Sequence, residues 1–263
     1  MELDYLKHNK ESWNKRTAVH IASEFYNNEA FIQGKSSLNE IELGIIGDVS
    51  GLSILHLQCH FGQDTISLSR LGAQTTGVDL SDAAIAKAKE LAALTQTNAQ
   101  FICCDVYSLP EHLNQQFDIV YSTYGTIGWL PDLDQWAKIV QHFLKPGGRL
   151  ILVEFHPVVW MFDNDFTHVK YNYFNVAPIV EPLNGTYAAK DAELGGQDIT
   201  WNHPLSEVFS SLLNNGLSIE SFDEFNYSPY DCFNHTIEVA KGFQIKQMED
   251  KIPMVYALVA KKK

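Results

Sequence analysis

Two hydrophobic rhythms alternate along most of this chain. Short unbroken apolar runs are followed by stretches in which apolar residues return every three or four positions. The run Leu52–Leu57, bounded by Gly51 and a polar turn, has the form of a strand buried on both faces. From Asp64 the spacing turns helical, with Ile66, Leu68 and Leu71 on one face and Gly72 as the stop. A second strand, Gln74–Val78, ends on Asp79. Ser81 then caps a helix carrying Ala84, Ile85, Ala88, Leu91 and Ala92. A third strand, Ala99–Cys103, leads into Cys104-Asp105-Val106, and a fourth, Phe117–Tyr121, into a loop from Ser122 to Leu130. Asp132 caps the next helix, through Trp136, Ile139, Val140 and Phe143; Lys145-Pro146-Gly147-Gly148 closes it before a fifth strand, Arg149–Phe155.

Repeated strand–helix units predict an α/β fold with a doubly wound parallel sheet. Ligands of such sheets bind at the carboxyl ends of the strands, so the loops at 58–64, 79–82, 104–109, 122–130 and 154–163 are the ones to watch. Outside this core the rhythm changes. Residues 3–33 and Leu38–Ile46 read as amphipathic helices. After His156 a stretch rich in aromatic and turn residues has no helical period, and it reads as short strands folded over the ligand edge. A helix at Leu205–Leu213 and strands at Leu217–Phe225 and Ile252–Ala260 complete the pattern. The expected division is a helical cap or lid at 1–47, a cofactor-binding core at 48–156, a covering insertion at 157–201, and the rest of the sheet at 202–263.

The strand, turn, helix, strand and terminal acid of residues 52–79 form a βαβ unit suited to an adenosine-containing cofactor. The turn meets the ligand at a helix N-terminus, and the acid accepts from ribose hydroxyls. A dinucleotide fingerprint would put glycine at Gln58 and His60 as well as Gly62. Side chains at the first two obstruct a pyrophosphate, so the turn suits a cofactor without one.

Composition narrows the partners. The 263 residues are 45% hydrophobic and 12% aromatic, enough for one sizeable core. A net charge of −13 disfavours nucleic acid and anionic membrane surfaces. Lys261-Lys262-Lys263 reads as a solvated tail. No apolar run nears the roughly 20 residues of a membrane span, and the N-terminus has no signal-peptide core, so the expectation is cytoplasmic. The partner expected is a small molecule, with the chain a monomer or homodimer. Cys59, Cys103, Cys104 and Cys232 lack CxxC spacing and read as reduced thiols. His56, Cys59 and His60 sit at a strand end that splays alternate side chains apart, so no metal is expected.

The order of motifs resembles the class I S-adenosylmethionine-dependent methyltransferases. The carrying residues are ILHLQCHFGQDT, VDLS, CD, FDIVYSTYGTIGWL and LKPGGRLILVEFHP, over about residues 50–157. The resemblance implies a Rossmann-like, mostly parallel sheet of seven strands with the last antiparallel, joined to its neighbour by a short link. It implies S-adenosyl-L-methionine as cofactor and transferase activity on a small molecule. Gly62 would pass under the methionine part, Asp79 would hold the ribose, and Leu80 would pack on the adenine. Asp105 and Val106 would meet the adenine edge, and Ser122 and Thr123 the amino group. His56 and Gln58 occupy family positions usually held by an acid and a glycine. Asp64 is placed to supply the missing negative charge.

Methyl transfer from a sulfonium is an in-line displacement that asks the protein to position an acceptor, exclude water and, for some acceptors, take a proton. At the sheet's carboxyl edge the candidate proton acceptors are His156, Glu154 and His203, with His156 first because it titrates near neutrality. Trp129 and Trp160 are candidate acceptor walls, with Trp13 and Tyr26 as lid residues over the cofactor. The expected acceptor pocket is bounded by Trp129, His156, Trp160 and His203, with Tyr26 closing it from the N-terminal side. Two other classes compete: a non-catalytic cofactor-binding or sensing module, and a nicotinamide-dependent oxidoreductase.

Overall fold

Alternate residues of the first core strand face opposite ways, and this sets the architecture. In a computed structural model describing residues 4–263, strand β1 (Ser53–Leu57) is buried throughout. Leu55 and Leu57 pack into one core with Trp136, Val140 and Phe143. Ile54 packs into another with Ile46, Val49 and Leu68. A strand apolar on both faces needs helices on both sides of its sheet.

Those helices are α4 (Gln63–Arg70), α5 (Asp82–Leu94), α6 (Leu133–Phe143) and α7 (Leu205–Asn214), after an N-terminal group α1 (Tyr5–Ile21), α2 (Asn28–Ile32) and α3 (Glu40–Ile46). The sheet adds β2 (Gln74–Asp79), β3 (Gln100–Cys103), β4 (Phe117–Thr123), β5 (Leu144–Phe155), β8 (Leu217–Phe225) and β11 (Val255–Lys262). Two small hairpins lie outside it: β6 (Ile179–Pro182) with β7 (Gln197–Thr200), and β9 (Thr236–Val239) with β10 (Gly242–Ile245). The strand order of the sheet is β3-β2-β1-β4-β5-β11-β8. β1 to β5 run parallel, and β11 lies antiparallel between β5 and β8. This is the expected seven-stranded, mostly parallel sheet with its last strand reversed. Its parallel half brings the ends of β1, β2, β3, β4 and β5 to one edge.

Several expectations are corrected. The helix expected over 3–33 is broken between Ile21 and Asn28, where Asn27 takes a left-handed conformation and caps α2 through Ala30 N–H; its expected start at residue 3 lies outside the described residues. β5 begins at Leu144, five residues early, because Leu144 already pairs with Phe117, and the turn at Gly147 (φ 77°) is taken up as a register break opposite Phe117–Ile119. In the stretch 157–201 the short strands are a single hairpin, β6 with β7, and the rest is turns. The link from β8 to β11 is long and contains the β9–β10 hairpin. Lys261 and Lys262 are paired in β11, and Lys262 Nζ donates to the carbonyls of Gln141 and Leu144 at 2.7 and 2.8 Å, where α6 ends.

Candidate active site

The turn after β1 is held by backbone conformation. Gln58, His60 and Gly62 all have positive φ, at 56°, 51° and 79°. For glycine this is free; for the other two it costs about 1 kcal/mol each. Gly62 has a second reason to lack a side chain, since a Cβ there would lie 2.5 Å from the Phe101 ring. The side chains at 58 and 60 turn away from the strand edge. Gln58 Nε2 donates to the Thr126 carbonyl at 2.8 Å, and His60 Nε2 meets His20 Nδ1 of α1 at 3.2 Å.

Three acids line the edge. Asp79 accepts from His60 N–H at 2.7 Å and Ser81 N–H at 2.8 Å, and burial pushes its carboxyl up to about 6. Asp105 accepts from the amides of Tyr107 and Ser108, a tight turn that fixes its carboxylate. Asp64, at the start of α4, accepts from Ser37 Oγ at 2.6 Å and Thr123 Oγ1 at 3.4 Å, and burial raises its pKa. Behind it Glu42 is fully buried, bound by Asn39 and the Tyr124 hydroxyl, with burial and then Asp64 raising its pKa. His56 stands where the family expectation has an acid. Its Nδ1 lies 2.8 Å from Thr65 Oγ1, and burial lowers its pKa to about 3, so it is neutral and carries no charge for a ligand.

These residues open onto a cavity of about 1120 Å³ along the strand ends. His56, Gln58, Gly62, Asp64, Asp79, Leu80, Asp105, Val106 and Thr123 all line it. Ser122 does not; it is buried, with its hydroxyl donated to Thr126 Oγ1. The far half is aromatic, with Phe155, Trp160, Phe166, Tyr187, Tyr230 and Phe233. Trp129 lies between the halves, edge-on to Trp13 of α1 at 5.2 Å, and Tyr26 bonds Tyr187 hydroxyl to hydroxyl at 2.6 Å.

The cover is α1 clamped to β7. Asn9 exchanges two hydrogen bonds with the Ile199 backbone, and Arg16 pairs with Asp198 while lying over Trp13 and Trp129. Sequence reasoning missed this stripe. Asn9, Ser12, Arg16 and His20 recur at helical spacing and are buried, whereas an amphipathic reading sends polar positions outward. The spacing itself was the available signal.

Of the three expected proton acceptors, Glu154 and His203 line the cavity and His156 does not. His156 is buried, with Nε2 2.9 Å from Glu224 Oε1 and Nδ1 accepting from Val158 N–H. The strand alternation that points Phe155 into the cavity points its neighbour the other way. The pocket expected around it therefore loses that wall. Glu154 lines the cavity, but its carboxylate is saturated by the amides of Gly125, Thr126, Ile127 and Phe155 and by the Thr126 hydroxyl. His203 places Nε2 2.8 Å from the Leu130 carbonyl and Nδ1 3.0 Å from Glu207. Both ring nitrogens are engaged.

Residues 54–148, from β1 into β5, match the family model of the methyltransferase domain. The chain carries a class I S-adenosylmethionine-dependent methyltransferase domain. This methyltransferase is 26% identical over 228 residues to a ubiquinone biosynthesis O-methyltransferase of Coxiella burnetii, covering 82% of this chain and 92% of that one. It is 33% identical over 141 residues to a demethylmenaquinone methyltransferase of Lactococcus lactis, covering 51% of this chain and 54% of that one. Among solved structures, an S-adenosylmethionine-dependent methyltransferase of Mesorhizobium loti superposes with a TM-score of 0.56 at 20% identity, over 88% of this chain and all of that one. At that identity the likeness speaks to the fold. Among the described residues no helix of the methyltransferase is long and apolar enough to cross a membrane.

Proposed function

We propose that this methyltransferase acts on a small, largely apolar, ring-bearing acceptor, with an oxygen as the methylated atom. The observation that carries the reading is one cavity lined both by the acids at the strand ends, which α1 reaches through Asn14 and Trp13, and by the aromatic cluster of Phe155, Trp160, Phe166 and Phe233. At about 1120 Å³ it exceeds the roughly 300–1,000 Å³ usual for one small ligand, leaving room for cofactor and acceptor together. The names of two relatives, a ubiquinone biosynthesis O-methyltransferase of Coxiella and a demethylmenaquinone methyltransferase of Lactococcus, support a ring-bearing acceptor, and the first supports oxygen.

The residues fit the cofactor. Asp79 would offer carboxylate lone pairs to ribose hydroxyls, and Leu80, Asp105 and Val106 would hold the adenine. Gly62 leaves the close approach that the methionine part needs. Asp64 takes the place of an acid at His56 as counter-ion for the amino group, with Thr123 alongside. When bound, S-adenosylmethionine supplies the methyl group and its sulfur leaving group. The chain's own contribution is position and dryness: Trp129 and the Phe155 side hold a flat ring, and the α1–β7 cover excludes water. Glu154 is saturated by amides, His156 faces away from the cavity and both His203 ring nitrogens are engaged, so none is assigned proton removal.

The test is transfer of labelled methyl from S-adenosylmethionine to a panel of hydroxylated rings, amines and thiols. Label on ring hydroxyls supports the reading. Transfer only to amines or thiols overturns the acceptor class.

A further inference from the structure

We propose that His60, seated on His20, is a positioning residue that fastens the α1 cover over the cavity when the cofactor fills its turn. The inference rests on the reading that the ribose meets Asp79. His60 occupies a backbone conformation that glycine would take without strain, and its ring crosses the cavity edge to α1. Its amide donates to Asp79 Oδ2 at 2.7 Å, the same carboxylate that the ribose would use. Its ring lies nearly parallel to those of His20 and Tyr26, with centroids 5.2 and 5.5 Å away, and edge-on to Trp13 at 5.3 Å. One residue thus touches the cofactor's acid through its backbone and the cover through its side chain.

The histidine pair is also left unfinished. His20 Nε2 and His60 Nδ1 are shielded from solvent and have no hydrogen-bond partner among the described residues. With one proton shared between Nδ1 of His20 and Nε2 of His60, either tautomer leaves one orphaned donor and one orphaned acceptor. Such groups cost free energy until something satisfies them, so this contact is biased to reorganise when polar ligand atoms arrive. Motion at the pair reaches the whole cover, because α1 is bound to β7 through Asn9 and Arg16. Gln58 makes the equivalent connection on the other side, from the same turn to Thr126 in the loop that Glu154 holds.

Amide hydrogen exchange of residues 5–21, with and without saturating S-adenosylhomocysteine, tests the proposal in the full chain. The wild type should exchange about tenfold more slowly in α1 with ligand present. His20→Phe keeps the ring stack and lies off the cavity wall; it should bind the ligand by calorimetry, yet lose most of the α1 protection. His60→Gly, which relieves the backbone strain, should lose the same protection at saturating ligand. Equal protection in wild type and both variants overturns the proposal, as does a wild type that binds without protecting α1. Calorimetry showing no binding at all overturns the cofactor reading, and this inference with it.

Discussion

Glu154 holds Thr126 twice, through its backbone N–H at 2.7 Å and its hydroxyl at 3.0 Å. The amides of Gly125 and Ile127 close on the same carboxylate, so the end of β5 fastens the loop after β4. Removing it strands several buried N–H groups. Glu154→Ala should cost about 3–5 kcal/mol, read by urea denaturation. Glu154→Gln keeps one carbonyl acceptor and should cost less. Equal stability of Glu154→Ala and wild type would return Glu154 to the list of free proton acceptors.

Gly62 lies against the Phe101 ring at positive φ. Gly62→Ala adds a Cβ at 2.5 Å from that ring and strains the backbone, and should destabilise by about 2–4 kcal/mol. Phe101→Leu in the same chain should recover the steric part and leave roughly 1 kcal/mol of backbone strain. A single Gly62→Ala variant that melts with wild type contradicts the packing.

The core was legible because its strands are buried on both faces and its helices on one. Leu52–Leu57 and Trp136–Phe143 therefore announce themselves by period. The β9–β10 hairpin did not, since residues such as Thr236, Glu238 and Gly242 are only half-buried or exposed, and alternation carries no signal there. The acids at strand ends were readable from local order, because a parallel sheet delivers every carboxyl end to one edge. Side-chain direction was not. His156 is one residue from the cavity wall at Phe155 and faces away, and the His20–His60 contact joins positions 40 residues apart. The fate of Glu154 depended on three amides nearly 30 residues upstream.

Asp79 gives cofactor binding a pH dependence. Its folded pKa of about 6 lies above the unfolded value of 3.8, so the folded chain without ligand holds that proton more tightly. Its contribution to stability therefore falls as pH rises from about 4 to about 6. A ligand that needs the carboxylate behaves oppositely. S-adenosylhomocysteine affinity should rise roughly tenfold per pH unit up to about 6 and then level off. Asp79→Asn should flatten that profile and weaken binding at pH 7 by about 2–3 kcal/mol. A wild-type profile flat between pH 4.5 and 7 refutes the assignment.

Buried neutral histidines should make the fold acid-labile. His20 and His56 are held at about 3 by burial, with Arg16 adding to the effect on His20. Both are depressed bases, so the unfolded chain takes their protons first, near its value of 6.5. Their stabilising effect is full above that pH and is lost as pH falls. At pH 5 each costs about 2 kcal/mol relative to pH 7, roughly 4 kcal/mol together. Asp79 works the other way and returns about 1 kcal/mol over the same interval. Glu42, Asp64 and Glu154, raised by burial, act like Asp79, and His60, lowered by burial, acts like the two histidines. The histidine part is therefore read by comparing the urea-denaturation pH profiles of wild type and a His56 variant. His56→Gln, which still has a polar partner for the Thr65 hydroxyl, should lose about 2 kcal/mol less than the wild type between pH 7 and pH 5. A His56→Gln variant that loses as much stability between pH 7 and pH 5 as the wild type would mean that the His56 ring is protonated in the folded chain.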